Sequence, residues 1–233
     1  MRGHSLIHTN PWEVCPIGGD DPPLYITVIG NSGSGKSSLL KKLAVSLSAS
    51  SSSLIAIDES SIHPPFLQRL FFNPDLFSLE LQLLFMLQRV LTVKHWLANK
   101  HSVLMERSHY DDLVFPRHLL REGYITDLEY RSYVGVWETL EVRIKRPDLI
   151  FFLDVPYEES LRRISEDERT GRRPREFPDE ATKERWISSW YSLYVERLKE
   201  MQNLDLNLVH ATMGESLDDL VARGLEKIGP KLR

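Results

Sequence analysis

Tyr25-Ile26-Thr27-Val28-Ile29-Gly30-Asn31-Ser32-Gly33-Ser34-Gly35-Lys36-Ser37 is the stretch from which the rest of the chain can be placed. Its first five residues are an apolar, β-branched run, the mark of a strand buried on both faces of a parallel sheet. The next eight satisfy G-x-x-x-x-G-K-[ST] in full. A helical pattern then follows with Leu39, Leu40, Leu43 and Leu47. A strand, a glycine-rich turn and a helix start make a cradle for phosphate. Backbone N–H groups wrap the anion, and the helix presents its positive end. Lys36 reaches the terminal phosphates, Ser37 offers a hydroxyl to Mg²⁺, and Gly30 through Ser38 form the binding loop.

Working outward, strand-like runs recur at residues 54–57, 103–105, 149–154 and 206–209. Helical patterns lie between them, the longest from about residue 74 to 99. Residues 111–123 and 127–145 read as two more helices, residues 46–53 as a Ser-rich loop, and residues 216–228 as the closing helix. Alternating strands and helices predict an α/β fold, a five-stranded parallel sheet covered by helices on both faces. Ligands in such sheets bind at the carboxyl ends of the strands. That rule gathers the phosphate loop, Asp58-Glu59, Glu106-Arg107-Ser108 and Asp154 on one rim. Residues 1–23, with Asn10-Pro11, Gly18-Gly19 and Pro22-Pro23, read as an irregular arm docked by Trp12. Residues 24–233 read as one domain.

Composition narrows the function. The 233 residues are 42% hydrophobic and 27% charged, with a net charge of -4, which argues against a protein that coats a nucleic acid polymer or an anionic bilayer. Cys15 is the single cysteine and the eight histidines lack metal-ligand spacing, so a reducing, cytoplasmic setting and no histidine–cysteine metal site are expected. The greasy region 76–91 is broken by Glu80, Gln82, Gln88 and Arg89, so no membrane span is expected. No Asn-Lys-x-Asp guanine motif is present. Six arginines, Arg162, Arg163, Arg169, Arg172, Arg173 and Arg175, fall within fourteen residues. This density suits a lid over residues 162–177 that brings positive charge to a moving phosphoryl group. Solvated pairing with Glu166, Asp167 and Glu168 is the plainer alternative for any one of them.

With Glu106-Arg107-Ser108 after the third strand, the sequence resembles the deoxynucleoside kinase family. The likeness runs from about residue 25 to 175. It rests on the phosphate loop, an acid after the second strand, FFNPDLFSLELQ at 71–82, Glu106-Arg107-Ser108, Tyr130-x-x-Tyr133-x-x-x-Trp137-Glu138, Arg146-Pro147-Asp148-Leu149 and the arginine cluster. The resemblance implies a P-loop kinase fold, ATP and Mg²⁺ as donor and cofactor, and a deoxynucleoside as acceptor of the phosphoryl group. It also implies a homodimer or higher homo-oligomer. Glu59 matches the general base, Arg107 the arginine that holds it, and Glu106, with Ser37, the magnesium site. Arg169, Arg172 and Arg173 match donor-binding lid arginines. Asp58 is the neighbouring alternative base, although alternation along a strand sends the two carboxylates to opposite faces.

Gln82 and Arg89 interrupt an otherwise apolar helix. Seven residues apart, they share one face at about 10 Å along the axis. An amide can make two hydrogen bonds to a base edge. By resemblance Gln82 reads the base, Arg89 pairs with Asp112, and Phe115 stacks on the base. The pattern is similar to members that take purine deoxynucleosides, deoxyadenosine first. Phe71 stands where many relatives carry a tyrosine on the sugar 3′-hydroxyl, and Glu176 matches a second contact to that hydroxyl. Two rivals remain at this point: a thymidylate-kinase-like enzyme acting on monophosphates, and a kinase-derived subunit without catalysis.

Overall fold

The computed structural model describes residues 6–7, 21–48, 53–62 and 67–229. Trp12, Cys15, residues 49–52 and the Pro64-Pro65 connector lie outside them. The strands are β1 (Leu6–Ile7), β2 (Tyr25–Gly30), β3 (Leu54–Ile57), β4 (Ser102–Glu106), β5 (Leu149–Asp154) and β6 (Leu208–Thr212). They form one parallel sheet in the order β1-β3-β4-β2-β5-β6. The five expected strands are all present, and β1 adds a sixth at the edge. Two apolar residues in a polar segment give no periodicity from which that strand could be read.

The helices are α1 (Lys36–Ser48), α2 (Leu67–Phe72), α3 (Pro74–Ala98), α4 (Val114–Arg121), α5 (Asp127–Glu141), α6 (Tyr157–Arg169), α7 (Glu180–Gln202) and α8 (Leu217–Ile228). Single 3₁₀ turns at Glu59–Ile62 and Asp111–Leu113 follow β3 and β4. Helix α2 was not expected, and α5 stops at Glu141 rather than Lys145. Starts are marked by side chains that accept from orphan N–H groups: Thr126 from Glu129, Asp179 from Thr182 and Ser216 from Asp219.

Strand alternation sorts the core into two layers. Ile26, Val28, Leu104 and Phe151 face α1 and α8. On the other face, Tyr25, Val103 and Met105 meet Val90, Val93 and Trp96 of α3. Ile29, Ile150 and Phe152 meet Trp186, Ile187 and Leu193 of α7. With both faces covered, the central strands read as continuous apolar runs. Helix α8 comes so close to the sheet that a Cβ on Gly224 would lie 2.2 Å from the ring of Phe151. Helix α3 is long and apolar enough by composition to cross a membrane, but half of that window is buried inside the protein. Strand β2 lies between β4 and β5, so its carboxyl end opens at the centre of the rim, with β3 and β4 to one side and β5 and β6 to the other.

Candidate active site

The loop after β2 is shaped by backbone that only glycine adopts without strain. Gly33 has φ +74°, and a Cβ there would lie 2.7 Å from the carbonyl of Ser160. Lys36 is buried at the start of α1 and donates to the Asn31 carbonyl at 2.8 Å. Its Nζ is 3.9 Å from Glu106 Oε1. Burial, reinforced by the charge of Arg107, lowers Lys36 to about 8. Ser37 Oγ donates to Glu106 Oε2 at 2.9 Å, and burial raises the Glu106 carboxyl above the usual carboxylate range. Ser37 and Glu106 are hard oxygen donors side by side, the set Mg²⁺ takes when phosphates and water complete its shell. Among the described residues no group of three or more His, Cys, Asp or Glu could hold a metal by itself.

The chain leaves β4 through Arg107, whose φ of +63° is rare for a side chain with a Cβ. That turn is pinned by Arg107 N donating to Val28 O at 2.8 Å, Thr27 Oγ1 donating to Arg107 O, and Ser108 N donating to Asp111 Oδ2. The guanidinium then enters the site over the ring of Phe115, 4.8 Å from its centroid. It donates to the Tyr194 hydroxyl, which in turn donates to buried Asp111 at 2.7 Å. Its Nε lies 2.6 Å from Glu59 Oε1. Glu59, at the start of the turn after β3, also receives Arg89 Nη2 at 3.0 Å on the same oxygen. Asp58 does something else: its Oδ1 accepts from the N–H and hydroxyl of Ser60, closing the turn. The two neighbouring carboxylates thus differ in their partners, although both border the cavity over the phosphate loop.

Two cavities meet here. One, about 560 Å³ including its open mouth, is lined by Phe71 of α2, Gln82, Phe85 and Arg89 of α3, Arg107, Phe115 and Trp190. The larger, about 2020 Å³ with its open side, runs over the phosphate loop past Lys36, Ser37, Ser38, Glu106, Arg163 and Arg172. Ser32, Glu59, Arg173 and Glu176 line both. Arg173 Nη2 ties this border together, donating to Ser32 Oγ at 3.1 Å and to Glu176 Oε2 at 2.6 Å.

Most of the expected residues therefore converge, with two corrections. Asp112 is fully buried and does not line the cavity; it reaches the site only through its ion pair with Arg89. Burial pushes it up to about 7 against the pull of Arg89. Arg169 lines neither cavity: it is 72% exposed and bound to Glu166, because the end of α6 turns it to solvent. Residues 162–169 of the arginine cluster are helical.

Sequence reasoning missed Lys41 and Arg163 on the phosphate side, and Trp190, which meets Phe115 edge-on at 5.2 Å. The pattern named Arg163 only as one of six arginines; its contact with the Ser34 carbonyl, 3.3 Å, is tertiary. A third cavity, about 710 Å³, adjoins Ser34, Gly35 and Ser38 under the turn of Thr212, Met213 and Gly214 after β6, where no sequence signal pointed.

The model of the deoxynucleoside kinase family matches residues 26–209. The chain is similar to a deoxyadenosine kinase of Dictyostelium discoideum, 29% identical over 60% of this chain and 55% of that protein. It is 28% identical to a deoxyadenosine/deoxycytidine kinase of Bacillus subtilis over 60% of this chain and 64% of that one. A deoxyguanosine kinase of Lactobacillus johnsonii is 27% identical over 88% of this chain and 93% of its own length. The first two matches thus span less than two thirds of those relatives. In fold, the chain is similar to the deoxyadenosine kinase of M. mycoides with bound dCTP, with a TM-score of 0.70 at 14% identity over 89% of this chain and all of the other.

Proposed function

The chain belongs to the deoxynucleoside kinase family, and from that premise we propose that it transfers the γ-phosphoryl group of ATP to the 5′-hydroxyl of a deoxynucleoside, a purine deoxynucleoside first. The observation that carries this reading is Glu59 on the border of two cavities, one apolar and aromatic, the other lined by Lys36, Arg163, Arg172 and Arg173. The acceptor lies in the first with its base against Gln82, Arg89 and Phe115. The donor's phosphates lie in the second, and its base in the cavity under the turn after β6.

In the reaction, the acceptor oxygen attacks the γ-phosphorus, the bond to the ADP oxygen breaks, and the hydroxyl proton passes to Glu59. The transition state is loose, so Glu59 mainly orients the hydroxyl and takes the proton late. Arg107 holds that carboxylate in place. Lys36 and Arg173 meet the charge that spreads over the phosphoryl oxygens. Mg²⁺, held by Ser37 and Glu106, supplies charge neutralisation when bound. The purine preference draws support from the Arg89–Asp112 pair and from the names of the relatives. Leu87 and Leu91, one turn apart on α3 and about two-fifths exposed, support pairing of two copies of the chain.

The test offers the four deoxynucleosides, their ribose analogues and their 5′-monophosphates with ATP and Mg²⁺. Formation of a 5′-monophosphate from deoxyadenosine or deoxyguanosine is expected. Turnover with monophosphates alone would replace this reading with a monophosphate kinase, and no turnover with any acceptor would remove catalysis altogether.

A further inference from the structure

We propose that Arg89 is a latch on Glu59, released when a nucleobase enters the acceptor cavity; the idea rests on the kinase reading above. Arg89 projects from the middle of α3, and its guanidinium bridges two carboxylates from different parts of the sheet rim. Nη1 pairs with Asp112, which follows β4, and Nη2 reaches Glu59 Oε1, which follows β3, at 3.0 Å. That same oxygen takes Arg107 Nε at 2.6 Å. Arg89 Nη2 makes a hydrogen bond to this oxygen, whereas Arg107 Nε holds it as an ion pair, so two positive charges converge on one carboxylate. With the acceptor cavity empty, a water at the border meets a carboxylate whose pull on a proton is weakened by both cations.

The latch faces the cavity whose occupant can open it. Arg89 lines the wall with Gln82 and Phe85, its guanidinium 4.8 Å from the Phe85 centroid. Arg89 lines the cavity whereas Asp112 does not, so a nucleobase edge meets the guanidinium itself. A ring nitrogen or carbonyl on that edge competes with Glu59 for Nη2. When it wins, Arg107 stays on Glu59 as its ion pair, and Oε1, relieved of the Arg89 hydrogen bond, opens to the incoming 5′-hydroxyl. Arg89 is thereby a positioning residue for the proposed base as well as a reader of the nucleobase. It links occupancy of the acceptor cavity to readiness of Glu59, and it holds back transfer of the phosphoryl group to water.

The experiment measures ATP hydrolysis without any nucleoside in wild type, Arg89→Lys and Arg89→Met/Asp112→Ala. Lysine keeps one charge against Asp112 but cannot span both carboxylates. The double variant leaves no unpaired buried charge, and a cooperative melt confirms that it folds. Acceptor-free hydrolysis is expected to rise about tenfold, a loss of about 1.4 kcal/mol of restraint, and Glu59→Gln in either background should abolish the rise. A structure of the wild type with deoxyadenosine should show Nη2 moved from Glu59 to the base. Unchanged or lower hydrolysis in the folded variants, a rise that survives Glu59→Gln, or Nη2 still on Glu59 beside bound nucleoside would overturn the latch. The kinase reading is judged separately, by nucleoside phosphorylation in the wild type, so either can fail without the other.

Discussion

The knot around Glu59 and the exposed face of α6 are built from the same pair, arginine against carboxylate, in opposite surroundings. In the first, Arg89 and Arg107 are only 2% and 5% exposed, and their partners Asp111 and Asp112 are wholly buried. Each charge there is expensive to leave unpaired. In the second, Arg162 pairs with Glu159, Arg169 with Glu166 and Arg172 with Asp167 in open solvent, where such pairs are worth little and exchange readily. The buried knot fixes geometry. The two exposed arginines that border the larger cavity, Arg162 and Arg172, are free to trade a carboxylate for a phosphate.

The largest effect expected from this contrast is at Glu59. Glu59→Gln keeps the shape of the knot but removes the proton acceptor, and turnover should fall by about 10²–10⁴ with ATP binding retained. Steady-state kinetics beside calorimetric titration of ATP checks this; unchanged turnover would hand the base role to Asp58. Next is Tyr194→Phe, which takes from Arg107 and Asp111 their shared hydroxyl. Unfolding in urea should show a loss of about 1–3 kcal/mol, and a neutral result would mean the knot is looser than its contacts imply.

On the other side of the comparison, Arg173→Ala should raise the KM for ATP about tenfold, the worth of one charge-assisted bond. Arg169→Ala should leave it within twofold. Equal effects at both positions would break the distinction between arginines that line the cavities and those that only face solvent. The mildest effect is on pH. Lys36, lowered to about 8, is charged below that value and neutral above it. The kcat/KM for ATP should therefore fall as pH rises through about 8, and a flat profile to pH 9.5 would contradict a buried, partly desolvated lysine. His109 and His118, driven by burial to about 3, stay neutral throughout and add no step between pH 5 and 9.

The same contrast explains what could be read from the chain alone. Strand β2, the glycine loop and α1 are local: hydrophobic run, φ-permissive residues and helix start follow one another, and the fold and phosphate cradle came with them. Gln82 and Arg89 were legible because polar residues on an apolar helix need a reason. The pairing of Arg89 with Asp112 came from the resemblance and is present, but that Asp112 itself stays out of the cavity was not legible, because which of two buried groups faces a cavity is decided by packing between α3 and the turn after β4. Counting arginines located the cluster at residues 162–175, and the resemblance picked out Arg172 and Arg173, which line the larger cavity, together with Arg169, which does not. Arg163 and Arg169 differ only in the side of α6 they occupy and in what stands opposite. Helix α2 and Trp190 were missed for a related reason. Phe71, Phe177, Trp186 and Trp190 form one aromatic wall drawn from three segments, and no window of sequence contains it.

The most direct measurement is a structure with deoxyadenosine and a non-hydrolysable ATP analogue bound together. The account predicts the nucleoside 5′-oxygen within hydrogen-bonding distance of Glu59 and in line with the γ-phosphorus above Lys36. A nucleoside whose 5′-oxygen points away from Glu59, or triphosphate density anywhere but over the Gly30–Lys36 turn, would contradict it.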